Sequence, residues 1–292
     1  MPLRDAMPPI PSAPPRARAW LSGCVAALCL IVVGCAARRA APQAEAPAAA
    51  HEVADARREI EQALAERRTG VTALRGRGTL WVSSPTWDGA ARVQAIVLAR
   101  RPEDLRVRGY TPLSTAFDCL AAPDRFVLHL PEPGEAWTGP AEELGPATGL
   151  PLVPADLVDA LFGAPFEIGD SLVVRRVESD VLEASWRLPD GSEVEARFAR
   201  HPTRPQGFRL LRDGRVRVEL EYGDYLLEEE GWWPRRYDLS WPEDESYFRL
   251  QLVAVELNPA FEPKSFELEP PAGTQWIRVR SADAGPPAGG KP

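Results

Sequence analysis

Histidine and cysteine are both scarce in this chain, at three and four among 292 residues. His51, His129 and His201 fall at a helix boundary, on a strand segment and in a Pro-flanked loop, without the spacing a zinc site needs. G-x-S-x-G, a Walker loop, a dinucleotide fingerprint and H-E-x-x-H are all missing. Two acidic runs, Glu228-Glu229-Glu230 and Glu243-Asp244-Glu245, fall at turns, where a solvated loop explains them better than a carboxylate pair facing across a cleft. The expectation is a protein that is not an enzyme and uses no cofactor or metal. Basic charge is short as well: 34 Lys and Arg stand against 42 Asp and Glu. Without residues 1–34 the net charge is −10. That argues against nucleic acid and against electrostatic adhesion to anionic head groups, so any membrane contact beyond an anchor has to be apolar.

Long hydrophobic runs are missing too, apart from Ala19–Val33, "AWLSGCVAALCLIVV". Arg4, Arg16 and Arg18 precede it, and it is too short to span a bilayer comfortably, so it reads as a secretion signal. The run ends in Val32-Val33-Gly34-Cys35, which resembles the bacterial lipobox. Leu21-Ser22-Gly23-Cys24 also fits that pattern but has almost no apolar run before it, so Cys35 is the expected lipidation site. Ala36 follows rather than an acidic residue, which implies sorting to the outer membrane, with the domain lipid-anchored and facing the periplasm. The organisation expected is a signal peptide over 1–34, a lipidated N-terminus with an Ala/Pro tether over 35–50, a domain over 51–280, and a disordered tail over 281–292. Cys24 and Cys29 leave with the signal and Cys35 is capped, so Cys119 is left alone and no intrachain disulfide can form. In the strand-like Phe117-Asp118-Cys119-Leu120 it reads as a small buried apolar residue rather than a nucleophile.

What is present is mostly β pattern. Alternating segments bounded by turn residues lie near 75–83, 91–99, 104–110, 115–121, 124–130, 172–179, 181–188, 193–200, 206–212, 215–224, 235–241 and 246–257. Asp190-Gly191 and Asp213-Gly214 are hairpin turns in waiting. About 11–12 antiparallel strands in succession suggest a mainly β, meandering sheet that must curl to bury one face. Before it, Val53, Ala56, Ile60, Ala63 and Leu64 recur at helical spacing over 52–68, with Gly70 as the stop. Residues 145–165 interrupt the β pattern: Pro154 opens a short helix, Leu157, Val158, Leu161 and Phe162 form its apolar face, and Gly163 ends it. Two turns of helix are not stable alone. This one either closes the concave face of the sheet or packs on its outside.

The sequence has nine tryptophans. They either fill the core and form cross-strand pairs or line an apolar cavity, since curled sheets of this size can hold a ligand. The cavity-lining candidates are Trp81, Val97, Phe117, Leu128, Trp186, Phe198, Leu157 and Phe162. One further residue has no local use: Leu113 at the tip of the turn in "GYTPLSTAF", residues 109–117.

Taken in order, these parts resemble one family, the outer-membrane lipoprotein receptor LolB and its soluble partner LolA. The series is an N-terminal helix, "LRGRGTLWV" at 74–82, "LRVRG", the Pro112-Leu113 tip, "STAFDCL", "RFVLHLPEPGEAWTGPAEEL" at 125–144 and "TGLPLVPADLVDALFGAP" at 148–165. The likeness spans about residues 52–255. It implies a half-open barrel whose apolar concave face is closed by short helices and carries the acyl chains of lipoproteins. It also implies a periplasmic LolA-like carrier as partner, acylated lipoproteins or another lipid as cargo, delivery into the outer membrane, and a monomer. Pro112, Leu113 and Ser114 match the family's membrane-transfer loop, with Ser114 where the family favours Gly. The other function considered is an envelope structural or assembly lipoprotein that uses the same scaffold to bind a protein partner.

Overall fold

A computed structural model describes residues 50–86, 89–169, 171–229 and 231–280. The expected signal peptide, the Cys35 anchor, nearly all of the tether, Trp87, Glu230 and the C-terminal tail lie outside these residues.

The chain enters through α1 (Ala50–Gly70), whose Ala56, Ile60, Ala63 and Leu64 are buried at the expected helical spacing. Asn258 ties its end to the sheet: Nδ2 donates to the Gly70 carbonyl at 3.0 Å, and Oδ1 accepts from the Thr72 amide at 2.9 Å. Six strands follow: β1 (Ala73–Ser83), β2 (Ala91–Arg100), β3 (Asp104–Tyr110), β4 (Thr115–Ala122), β5 (Arg125–Leu130) and β6 (Glu135–Gly139). Two short helices come next, α2 (Leu144–Thr148) and α3 (Pro154–Leu161). The second run of strands is β7 (Val173–Val177), β8 (Val181–Arg187), β9 (Glu193–Ala199), β10 (Arg204–Arg212) and β11 (Arg215–Gly223). A small hairpin, β12 (Leu226–Glu228) and β13 (Gly231–Trp233), precedes β14 (Arg236–Trp241), β15 (Ser246–Leu257) and β16 (Gln275–Arg278).

Among the described residues fourteen strands form one sheet, ordered β16-β6-β5-β4-β3-β2-β1-β15-β14-β11-β10-β9-β8-β7. Every neighbouring pair is antiparallel except β16 with β6. The end strands β16 and β7 do not pair with each other, so the sheet is curled but open. All twelve expected strands are present. The sheet exceeds the expected 11–12 because β6 and β16 were not legible: β6 is five residues between Pro133 and Pro140, and β16 is four residues near the C-terminus.

The two halves of the sheet are local meanders joined at one seam, β1 against β15, running from Leu74 opposite Leu257 to Ser83 opposite Tyr247. The register slips between Arg77 and Gly78. A side chain on Gly78 would put its Cβ 1.9 Å from the Gln251 carbonyl oxygen, so the close approach at this bulge needs glycine. Gly78→Ala should therefore lose about 1–3 kcal/mol of stability as the seam is forced apart. A urea midpoint lowered at unchanged slope would register that loss, and an unaltered midpoint would mean the seam can open freely.

Side-chain alternation decides the two faces. Leu105 and Val107 are buried while Arg106 and Arg108 point to the opposite face, and Leu220 and Tyr222 are buried against exposed Glu221. The helix α3 lies on the apolar, concave side. Its Leu157, Val158 and Leu161 are buried, and so is Phe162 beyond its end. Two tyrosines of the sheet cap it: the Tyr222 hydroxyl donates to the Ala160 carbonyl at 2.8 Å and that of Tyr237 to the Leu161 carbonyl at 3.3 Å. Both carbonyls lie in the last turn of α3, where the i→i+4 bonds run out, and the Ala160 carbonyl also accepts from the Gly163 amide at 3.0 Å. Placement on the concave face, rather than outside, follows from this.

After β15 the chain crosses the outer face. Arg106 Nη1 donates to the carbonyls of Ser265 and Glu267, each at 3.0 Å, and Phe261 meets Phe266 edge-on with centroids 5.0 Å apart. The segment then adds β16 beside β6, so that β16 is the outermost strand on that side.

Candidate functional site: an apolar cavity and its rim

The concave face does not fill itself completely. Between the first half of the sheet and the two short helices lies a cavity of about 260 Å³. Its wall is Leu80 and Val82 of β1, Val93 of β2, Leu105 and Val107 of β3, Phe117 and Cys119 of β4, Leu128 and Leu130 of β5, and Phe248 of β15. Its roof is Leu144, Leu150, Leu152 and Leu157, with Thr148 the single hydroxyl among the lining residues. Thr148 turns its hydroxyl to the carbonyls of Leu144 and Gly145 at 2.8 and 3.1 Å, so it adds little polarity to the cavity. A narrower cleft of about 70 Å³ runs under the other side of α3, against Leu210, Val218, Leu220, Leu239 and Trp241.

The local sequence explains why the wall is flat enough to leave space. Phe117 lies over Gly109 of the neighbouring strand, where a Cβ would come 2.4 Å from its ring. The glycine lets the ring lie against the β3 backbone. The roof is tied at both ends. Ser84, buried just past β1, donates to the Gly149 carbonyl. Arg101, just past β2, pairs with Asp159 of α3 and sits 4.7 Å from the Phe162 ring centroid. Burial pushes the Asp159 carboxyl above the ordinary carboxylate range, with Arg101 acting against it.

Of the expected lining residues, Phe117, Leu128 and Leu157 face the cavity. Val97 is on the same strand face as Val93 but is packed over completely. Trp186 and Phe198 are buried in the second half of the sheet, where each meets Phe208 edge-on at 6.3 and 5.8 Å. Phe162 packs edge-on against Trp233 at 6.4 Å. Trp81 alternates with Leu80 and Val82 and so points to the outer face, with Arg92 5.4 Å from its ring. These five are not cavity residues. The lining is aliphatic, built from leucines and valines whose alternation is an ordinary strand pattern and therefore no signal. Among the described residues the tryptophans are elsewhere, with Trp241 at the edge of the narrow cleft.

Cys119 lines the wall, and burial, followed by the neighbouring Asp118 charge, pushes its thiol up to about 12. It remains a protonated thiol at neutral pH, an apolar wall residue and not a nucleophile. Among the described residues no cluster of His, Cys, Asp and Glu is arranged to hold a metal.

The turn joining β3 to β4 stands at the rim. Thr111 and Ser114 close it: the Thr111 amide donates to the Ser114 carbonyl at 2.8 Å, and Thr111 Oγ1 accepts from the amides of Leu113 and Ser114 at 3.3 and 3.1 Å. Ser114 is not among the residues of positive φ, so glycine is not required there. With the backbone satisfied locally, the Leu113 side chain makes no structural contribution and is 97% exposed. It is four positions from Phe117 in the wall, roughly 13 Å of extended chain. Behind the turn, Asp118 holds Arg106 at 2.9–3.0 Å and Arg108 at 2.6–2.7 Å, which stiffens the hairpin on its outer face.

No family model matches this chain, and no curated protein matches it. The solved structures similar to it include a domain described as an outer membrane lipoprotein-sorting protein from Vibrio parahaemolyticus, at 12% identity and a TM-score of 0.49 over 73% of this chain and 97% of that one. A DUF1329 family protein from Desulfovibrio piger is similar at 8% identity and a TM-score of 0.49, over 74% of this chain and 97% of the other. A LolA superfamily protein from Nitrosomonas europaea is similar at 13% identity and a TM-score of 0.46, over 72% of this chain and 96% of that one.

Proposed function

We propose that this chain is a lipid-anchored acceptor at the outer membrane that receives lipoproteins from a periplasmic LolA-like carrier, houses acyl chain in the apolar cavity, and releases it to the bilayer. The observation that carries the reading is the cavity itself, about 260 Å³ lined by aliphatic side chains. At about 30 Å³ per water-sized group it has room for roughly nine such groups of a chain. Burying nine methylenes is worth on the order of 7 kcal/mol, before the cost of ordering the chain. That suits cargo which must be held against water and still given up to a membrane. Such transfer runs down an affinity gradient and needs neither a nucleotide nor a metal. The anchor at Cys35 and monomeric action belong to the same proposal.

An acyl probe tests it. The domain should take up a fluorescent fatty acid with saturable binding, and Val93→Trp, which fills the cavity from a half-buried position, should weaken that binding at least tenfold with little change in melting temperature. Wild-type protein that takes up no probe would sink the reading.

A further inference from the structure

A second pocket, of about 200 Å³, lies at the C-terminal end of α1, where the 201–203 turn between β9 and β10 meets the β12–β13 hairpin. Successive turns of an antiparallel meander alternate between strand ends, so this pocket is at the strand ends opposite those of the Leu113 turn. Two arginines line it. Arg67 is only 9% exposed, and its Nη2 donates to the Trp232 carbonyl at 2.7 Å. Its guanidinium carbon is 5.1 Å from the Trp233 ring centroid and 6.0 Å from that of Tyr225, and its Nη1 is buried without a hydrogen-bond partner. Arg204 sits between Trp232 and Tyr225, at 4.9 and 5.1 Å.

Among the described residues neither arginine is in an ion pair with a carboxylate, in a molecule whose other arginines are repeatedly matched to Asp or Glu. The acidic group in the lining is Glu66, which accepts a hydrogen bond from Gln62 at 2.7 Å. Two guanidinium groups held against aromatic faces, with Glu66 the one carboxylate in the lining and in an ion pair with neither of them, leave a net positive, partly dehydrated pocket. Burying a cation without an anion is costly, and an oxyanion bound in the pocket would supply the opposite charge. Beside the pocket, Leu226, Leu227 and Trp232 are exposed, an apolar surface for whatever carries that anion.

We infer that the pocket is a binding site for a phosphate group, held between Arg67 and Arg204, with the β12–β13 hairpin to take any apolar part attached to it. Guanidinium groups suit phosphate because they offer several fixed donors at once. Two sources share this chemistry, a lipid headgroup and free phosphate.

Calorimetric titration of the full chain with three probes separates them: dihexanoyl phosphatidic acid, dihexanoyl phosphatidylcholine and inorganic phosphate. The two lipids have the same chains, so any binding in the aliphatic cavity is common to both, and only the difference between them reports on the arginines. The expected result is phosphatidic acid binding at least tenfold tighter than phosphatidylcholine. Arg204→Gln should erase that preference and leave phosphatidylcholine binding as it was, while Arg204→Lys retains part of it. Binding of inorganic phosphate alone, lost in Arg204→Gln, would support the site with the free anion as its source. Equal affinity for both lipids with no phosphate binding overturns the inference, as does a preference that survives Arg204→Gln. Absence of all lipid binding would count against the cavity, whereas the phosphate arm still decides this site.

Discussion

Phe208→Ala is expected to cost about 3–5 kcal/mol, the range for removing a fully buried ring. Phe208 is the hub of the second half of the sheet, edge-on to Phe166, Trp186, Phe198 and Tyr222 with centroids 5.8–6.3 Å apart. The loss would combine transfer of the ring, the void it leaves, and four edge-to-face contacts worth about 0.5–1.5 kcal/mol each where they are well made. Tyr222 also holds the end of α3 through the Ala160 carbonyl, so loosening Phe208 should loosen the roof of the cavity. Equilibrium unfolding in urea checks the size, and hydrogen exchange at the 160–163 amides checks the route. A loss under 1 kcal/mol would show that these rings repack around the gap.

The second large effect should leave stability untouched. Leu113→Glu is expected to unfold at the same temperature as the wild type, because the turn is closed by Thr111 and Ser114 and the leucine is almost fully exposed. Surface substitutions of this kind stay within about 0.5 kcal/mol. Delivery of an acyl probe or lipoprotein to vesicles, however, should fall to background. A chain with 34 basic against 42 acidic residues has no net electrostatic attraction to anionic lipid, and a charge on the tip would remove the apolar contact that remains. Uptake by the cavity should survive, which separates holding cargo from releasing it. Normal delivery by Leu113→Glu would leave the leucine without a role.

The fold was largely legible because alternation and turn chemistry carry it. At Asp213-Gly214 both residues take positive φ, 53° and 72°, as a tight hairpin requires, and the strands on either side fall where alternation puts them. The helix over 154–161 was readable from Pro154 and Gly163, though its side of the sheet was not, since an apolar helix face fits either surface. What failed was the cavity. The tryptophans left a packed core and a ring-lined space both open; large rings pack better than they enclose, and Trp186 and Trp233 fill the core. Space was left where the Phe117 ring lies flat over Gly109 and leucines and valines line the rest of the wall, and no sequence pattern distinguishes such a gap from a packed layer. The arginine pair was equally hidden: Arg67 stands in the last turn of α1, where a basic residue is ordinary, and Arg204 reaches it only through the fold.

The β1–β15 seam also bears on how the chain finds this structure. Most strand pairs join neighbours in the sequence, whereas this one brings together segments more than 160 residues apart. The closure entropy of that loop grows only slowly with its length, by about 0.6 kcal/mol per doubling, so the long excursion between the two strands costs little more than a short one would. The burden falls on timing instead. Hairpins close in about 1–10 μs, while pairings of high sequence separation dominate the slow end of folding. Two meanders that form early would therefore wait on one zipper, and until it closes the β1 and β15 edges that meet there stay unpaired.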